Sequence, residues 1–339
     1  MGRPGAWWWL AWALVLLALG NATLHLLAVC RPLISSDNWW LLDPFLWNAV
    51  DGTLGLGDFL VKRTGVDHAQ PLGKLVVWLN WSLWDLDFVY EGLIALGFAL
   101  AGLLVLARIV RADDPQAQGP AVPLLFAAIG AVFLSLNTSM IYTYSMVTLW
   151  FSLYLFVFLA MHASWRAATQ GRLLPLVLVM AAYGIIGDDS AIMLGIALVL
   201  ALLLHGWREG GLRPGARAAI AVIALALVAA RLVYHVAGTF SGATDAGFSA
   251  PLATRLGALW ALRGDAWAWW AAVSSSGIAG IGALKALFGE HWLPVRHLLA
   301  VMLLVAHAGF WWAALRLRPG AAWFAAVALI LLYYAHVAG

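Results

Sequence analysis

A chain of 339 residues that is 64% hydrophobic and only 10% charged, with a mean hydropathy of +0.90, excludes a soluble globular domain. Such domains carry roughly 25% charged and about 45–50% apolar residues. The same composition excludes intrinsic disorder, and one cysteine, Cys30, cannot form an intramolecular disulfide. The net charge of +3 reads as membrane topology rather than nucleic-acid binding, because excess Lys and Arg collects in cytoplasmic loops.

A spanning helix needs about 20 mostly apolar residues to cross about 30 Å of hydrocarbon. In chain order that criterion predicts helices at 7–29, 88–107, 121–136, 146–164, 173–187, 190–206, 218–236, 297–315 and 321–338. The fold class expected is therefore an all-α polytopic membrane protein with about nine transmembrane helices in a single transmembrane domain, 1–339. The first segment is longer than a signal-peptide core and ends in a poor cleavage site, Ala28-Val29-Cys30, so it reads as a retained anchor. The chain ends inside its ninth apolar segment, which leaves a truncated C-terminus open.

The connections after the even-numbered segments are short and basic. Arg108 and Arg111, Arg166 and Arg172, Arg208, Arg213 and Arg217, and Arg316 and Arg318 lie there, on the same side as Arg3. Short basic loops face the cytoplasm, so the N-terminus is expected inside. On that side lie only three of the sixteen carboxylates, Asp113, Asp114 and Glu209. Any chemistry should face outward.

Two outer stretches break the hairpin rhythm. Residues 30–87 form a long first outer loop, of the kind that is often functional. Within it Trp78, Trp81 and Trp84, at every third position between Lys74 and Asp85, predict a short interfacial helix. Residues 237–296 form a second outer stretch, rich in Trp260, Trp267, Trp269 and Trp270. Its segment 266–284 is long enough to cross, and is read as re-entrant, interfacial or paired with 252–262.

Candidate functional groups gather in these outer segments. Asp37 follows the first span directly; a carboxylate partly desolvated at that depth gains strength as a base, while the bland alternative is a helix cap. Asp67-His68 precedes Pro71 and is flanked by Lys62, Arg63 and Lys74, which suit a phosphate. Asp188-Asp189 occupies a turn with almost no loop. Two adjacent carboxylates repel, so at least one calls for a cation, a proton or a hydroxyl; one of them could simply cap the next helix. Arg231, Tyr234 and His235 share one helical face, with snorkelling the simplest reading of Arg231. Glu91 suits a helix start. Asn21, Asn80 and Asn137 begin N-x-[ST] patterns that arise often by chance.

Tryptophan contributes 21 residues. An aromatic belt accounts for Trp7, Trp8, Trp9, Trp311 and Trp312. The loop tryptophans, Trp39 and Trp40 among them, exceed what a belt requires, and an acidic surface rich in indoles fits a carbohydrate. No CxxC or HExxH spacing advertises a metal site.

The pattern resembles the GT-C superfamily of integral-membrane glycosyltransferases. Asp37 matches the opening acidic position of their first outer loop, with Asn38 where many members carry a second acid. Asp67-His68-Ala69-Gln70-Pro71, Leu79-Asn80 and Asp85-Leu86-Asp87-Phe88 resemble the loop of bacterial members with a His-rich motif. The resemblance covers residues 30–90 in sequence and most of the chain in topology. It implies a bacterial-type plasma-membrane enzyme that transfers a sugar from a polyprenyl-phosphate donor to a glycan or lipid acceptor on the outer face. Asp37 would be the base. Lys62, Arg63 and His68, or a Mg²⁺ or Mn²⁺ ion held by Asp67 or Asp189, would take the phosphate. Trp39, Trp40 and Asp188 would complete the substrate surface. Competing classes are a transporter or flippase of lipid-linked sugars, and a non-catalytic assembly subunit.

Overall fold

The computed structural model describes residues 5–29, 41–62, 69–113, 119–135, 147–187, 189–237, 265–267, 270–271 and 281–338. Helices are α1 (Ala6–Val29), α2 (Trp47–Val50, entered through a wide turn at Leu41–Leu46), α3 (Pro71–Trp84), α4 (Phe88–Asp113), α5 (Ala121–Phe133), α6 (Val147–Gln170), α7 (Leu174–Ile186), α8 (Asp189–Arg208), α9 (Pro214–Ala237), α10 (Ile281–Phe288), α11 (Trp292–Arg316) and α12 (Ala321–Ala338). Each predicted apolar segment corresponds to one of them; 121–136, 146–164 and 173–187 run one to three residues past the ends of α5, α6 and α7. Among the described residues, six helices (α1, α4, α6, α8, α9 and the α10–α11 stretch from Lys285 to Arg316) are long and apolar enough to cross a membrane. The chain is therefore a multi-pass membrane protein. The apolar stretches at Ala121–Phe133, Leu174–Ile186 and Ala321–Tyr334 are shorter. A 13-residue helix such as α5 or α7 rises about 20 Å, short of the hydrocarbon thickness.

By contact the chain divides into two units, Met1–Asp245 with Pro319–His336, and Ala246–Arg318 with Val337–Gly339. In the first, α4 lies along α6, α9 along α6 and α7, and α1 against α5 and α4. Small residues at helical spacing permit this close approach, as they do between helices in lipid. Ala95 and Ala99 on α4, and Ala160, Ala163 and Ala167 on α6, are buried. Gly215 at the start of α9 sits so close to α6 that a Cβ there would stand 2.4 Å from the Ala167 carbonyl oxygen.

Arginine–indole contacts mark one end of this unit. The Arg111 guanidinium lies 5.3 Å from the Trp8 ring, and that of Arg208 lies 5.8 Å from Trp323. Trp8 corrects the belt reading. It is buried against Phe126 beneath Arg111, whereas Trp7 and Trp9 are exposed. Successive helical residues point about 100° apart, so three adjacent tryptophans cannot share one surface. His205, isolated in sequence, packs between Trp165 and Trp323 near the same end.

In the second unit, Trp267 donates its indole N–H to His297 Nδ1 at 3.1 Å, and Trp270 donates to the Ala300 carbonyl at 2.9 Å while its ring meets His307. The stretch around 265–271 therefore runs beside the first half of α11.

Candidate functional site

The described part of the long first loop has its own small apolar core. Phe45, Leu46 and Val77 are buried, and Phe59, Trp78, Trp81 and Leu86 pack around them. Helix α3 starts where Pro71 fits the first helical position, since its missing N–H has no partner to lose there. It ends at Asp85 and Leu86, both in left-handed conformation, which turns the chain sharply into α4. Asp87 caps α4, accepting from the Val89 amide at 3.0 Å. The helix predicted from the tryptophan spacing is present, but the indoles have other tasks than an open sugar platform. Trp78 and Trp81 pack on the loop core, and Trp84 stacks on Tyr90 at 4.7 Å.

Lys74 corrects another expectation. It is fully buried, and its ammonium donates to the Asp58 carbonyl at 2.8 Å and the Val61 carbonyl at 2.6 Å. It ties the 55–62 segment to α3 instead of offering itself to a phosphate. Burial pushes its pKa down from 10.5 to about 7, opposed in part by the negative charge of Asp58. A neutral amine still has two N–H groups for the two carbonyls. Between about pH 7 and 10.5 the unfolded chain holds a proton on Lys74 that the folded chain has released, so stability rises with pH across that window. The gain is complete above about 10.5 and lost as pH falls through about 7. The thermal midpoint in detergent should therefore climb from pH 7 to 9, with a smaller slope in Lys74→Met. Equal slopes would remove Lys74 as the cause.

The bonds of Lys74 also position its target's neighbour. Lys62, next to Val61, is 1% exposed, and its ammonium stands 5.6 Å from the ring centroid of Tyr234 on α9. The Tyr234 hydroxyl donates to the Ile185 carbonyl at the end of α7. Two residues further, Gly187 ends α7, and its carbonyl accepts from the Ser190 hydroxyl. Ser190 in turn faces the Tyr183 hydroxyl at 3.3 Å. These bonds tie the end of α7 to Ser190 in the first turn of α8. Lys62 from the first loop, Tyr234 near the end of α9, the end of α7 and the start of α8 thus meet at one corner of the first unit. Beside Tyr234 opens a small cleft between α7, α8 and α9, lined by Gly184, Ala191, Ile192, Leu227, Ala230 and Arg231. Gly184 keeps it narrow, since a Cβ there would stand 2.9 Å from that of Ala230.

Of the sequence candidates, the structure brings Lys62, Arg231 and Tyr234 to this corner. His235 is exposed and does not line the cleft. Asp189 begins α8, with its side chain outside the described residues; Asp37, Trp39, Trp40, Arg63, Asp67, His68 and Asp188 lie wholly outside them. Asp58 is used locally, its carboxylate accepting from the Gly55 amide at 2.8 Å. Among the described residues no group of three or more His, Cys, Asp or Glu side chains could hold a metal ion.

One polar pair was not legible beforehand. Glu91, 1% exposed, accepts from the Asn80 side-chain amide at 3.0 Å, and Asn80 is itself fully buried. The pair locks α3 onto α4 and removes Asn80 from any glycosylation reading. The only sequence signal was a carboxylate near the start of an otherwise apolar helix. No family model matches this chain, and no curated protein and no solved structure matches it either.

Proposed function

We propose that the chain is an integral-membrane glycosyltransferase of GT-C type, with a polyprenyl-phosphate sugar as donor and a glycan or lipid as acceptor. In this reading at least the six long apolar helices cross a bacterial-type plasma membrane, the N-terminus is cytoplasmic, and the first loop faces out. The observation that carries the reading is the burial of Lys62 against Tyr234 beside the aspartate turn. It couples a cation of the first loop to the corner where α7 and α9 end and α8 begins.

The chemistry follows from charge. Breaking the bond between sugar and phosphate leaves negative charge on the departing phosphate, and preorganised cations stabilise it best in a water-poor site. Among the described residues Arg231 lines the cleft and Lys62 lies against Tyr234 beside it; Arg63 and His68 are assigned to the same phosphate. Asp37 takes the proton of the acceptor hydroxyl. Asp67, Asp188 and Asp189 bind sugar hydroxyls, and Trp39 and Trp40 stack on the sugar's apolar face. A Mg²⁺ or Mn²⁺ ion shared with Asp67 or Asp189 would supply further positive charge to the phosphate.

Lys62→Gln tests the reading, because it keeps length and polarity while removing the charge. Lipid-linked and surface glycans would be quantified by mass spectrometry in cells carrying only the variant. Removing one stabilising group from a developing anion costs about 10²–10³ in rate, and product should fall accordingly at equal protein abundance. Undiminished product would overturn the assignment of Lys62 to the donor phosphate.

A further inference from the structure

Helix α11 carries cation–aromatic contacts at both ends, and the two ends differ. At its C-terminal end Arg316 alone lies over Trp312, 4.3 Å from the ring centroid. At its start two cations share one indole: the Lys285 ammonium is 5.0 Å and the Arg296 guanidinium 5.4 Å from the centroid of Trp292. From Trp292 to Trp312 a helix rises about 30 Å, the thickness of a bilayer's hydrocarbon core. Trp292 therefore stands at headgroup level when Trp312 does.

Two like charges held to one ring repel unless an anion lies between them. Neither Lys285 nor Arg296 forms an ion pair among the described residues, although Glu290 is close in sequence and exposed. Arg296 Nε is buried and meets no hydrogen-bond acceptor among the described residues. Much of the α11 surface is exposed and apolar, with Leu293 and Leu304 on the side of the helix nearer Trp292 and Arg296, and Leu298, Met302 and Val305 further round.

We propose that Lys285, Trp292 and Arg296 seat the headgroup phosphate of an anionic phospholipid, whose acyl chains lie along the exposed apolar surface of α11. A guanidinium binds a phosphate through paired N–H groups and an ammonium as a point charge. The indole holds both at the depth where the phosphate sits. The exposed apolar surface of α11, Leu293 and Leu304 included, matches acyl chains, which a soluble anion lacks. The site stands apart from the glycosyltransferase reading and does not rest on it.

Native mass spectrometry tests this on the full-length protein, equilibrated with equal amounts of phosphatidylglycerol and phosphatidylcholine of identical acyl chains. The wild type should retain phosphatidylglycerol preferentially. A basic residue near the membrane surface contributes about fivefold to anionic-lipid affinity, so Lys285→Gln with Arg296→Gln should reduce the preference at least about fivefold. Lys285→Arg should keep it, as should Arg172→Gln, which changes an exposed charge in the other unit. Should the double variant fail to fold, Lys285→Gln alone, at an exposed position, should still lower the preference. An absent preference in the wild type, or an unchanged one in the glutamine variants, overturns the site. So does displacement of the lipid by millimolar inorganic phosphate, which would show an ion site without acyl recognition.

Discussion

Asp37→Asn should lower sugar transfer by about 10²–10⁴-fold, the usual loss when a general base is removed. The substitution keeps the size and hydrogen bonding of the side chain and takes away only its capacity to accept a proton. Asparagine caps a helix as well as aspartate does, so a purely structural Asp37 would leave transfer unchanged. The two roles thus give opposite results from one variant. Surface glycan and lipid-linked product would be measured in cells carrying only the variant, with protein abundance checked. Wild-type transfer at equal abundance would move the search for the base to Asp67 or Asp189. Such a result would leave the Lys62 assignment standing, because the phosphate cation and the acceptor base are separate groups.

Gly215→Ala should destabilise the protein by about 1–3 kcal/mol, the typical cost of overpacking. The added carbon would meet the Ala167 carbonyl oxygen at 2.4 Å and that of Ala168 at 3.1 Å. Both are backbone atoms and cannot rotate aside, so α9 must shift away from α6. Two other glycines calibrate the effect. A Cβ at Gly195 would also come within 2.4 Å of an atom, but that atom is the Cδ1 of Leu227, the free end of a side chain. Gly195→Ala should cost less. Gly102→Ala meets Phe158 and Leu155 only at ordinary contact distances and gains helix propensity, so it should be neutral or stabilising by up to about 1 kcal/mol. Thermal unfolding in detergent, followed by tryptophan fluorescence, would rank the three. Equal midpoints for Gly215→Ala and Gly102→Ala would show that α9 and α6 do not need this approach.

Much of the helical framework was legible in the sequence. Each of the nine predicted segments corresponds to a helix, three of them running slightly past its ends, because transfer into lipid is a sum over consecutive residues that needs no knowledge of neighbours. The short helix Pro71–Trp84 was legible for a similar reason, from the spacing of Trp78, Trp81 and Trp84. Lengths were less so. Helix α4 continues to Asp113 and α6 to Gln170, beyond the apolar windows at 107 and 164, since backbone hydrogen bonds carry a helix past its greasy stretch.

The candidate site was legible only as an inventory. Lys62 and Lys74 looked equivalent, two basic residues flanking one polar motif. The fold turned Lys74 inward onto two carbonyls and set Lys62 against Tyr234, 172 positions further along the chain. Nothing local to either lysine distinguishes them. Trp8 between Trp7 and Trp9, and Asn80 with Glu91, make the same point, since burial there depends on which face another helix covers.

By itself the sequence determined that the protein belongs in a membrane, where its helices lie, and which segments concentrate its carboxylates and indoles. Hydropathy and composition are one-dimensional sums, and a single chain carries them in full. Only the tertiary structure decided which cation holds the loop together, which one lies against Tyr234 of α9, and which indoles remain at the surface. Those outcomes are set by contacts between residues far apart in the chain, where packing geometry rather than residue type selects the partner.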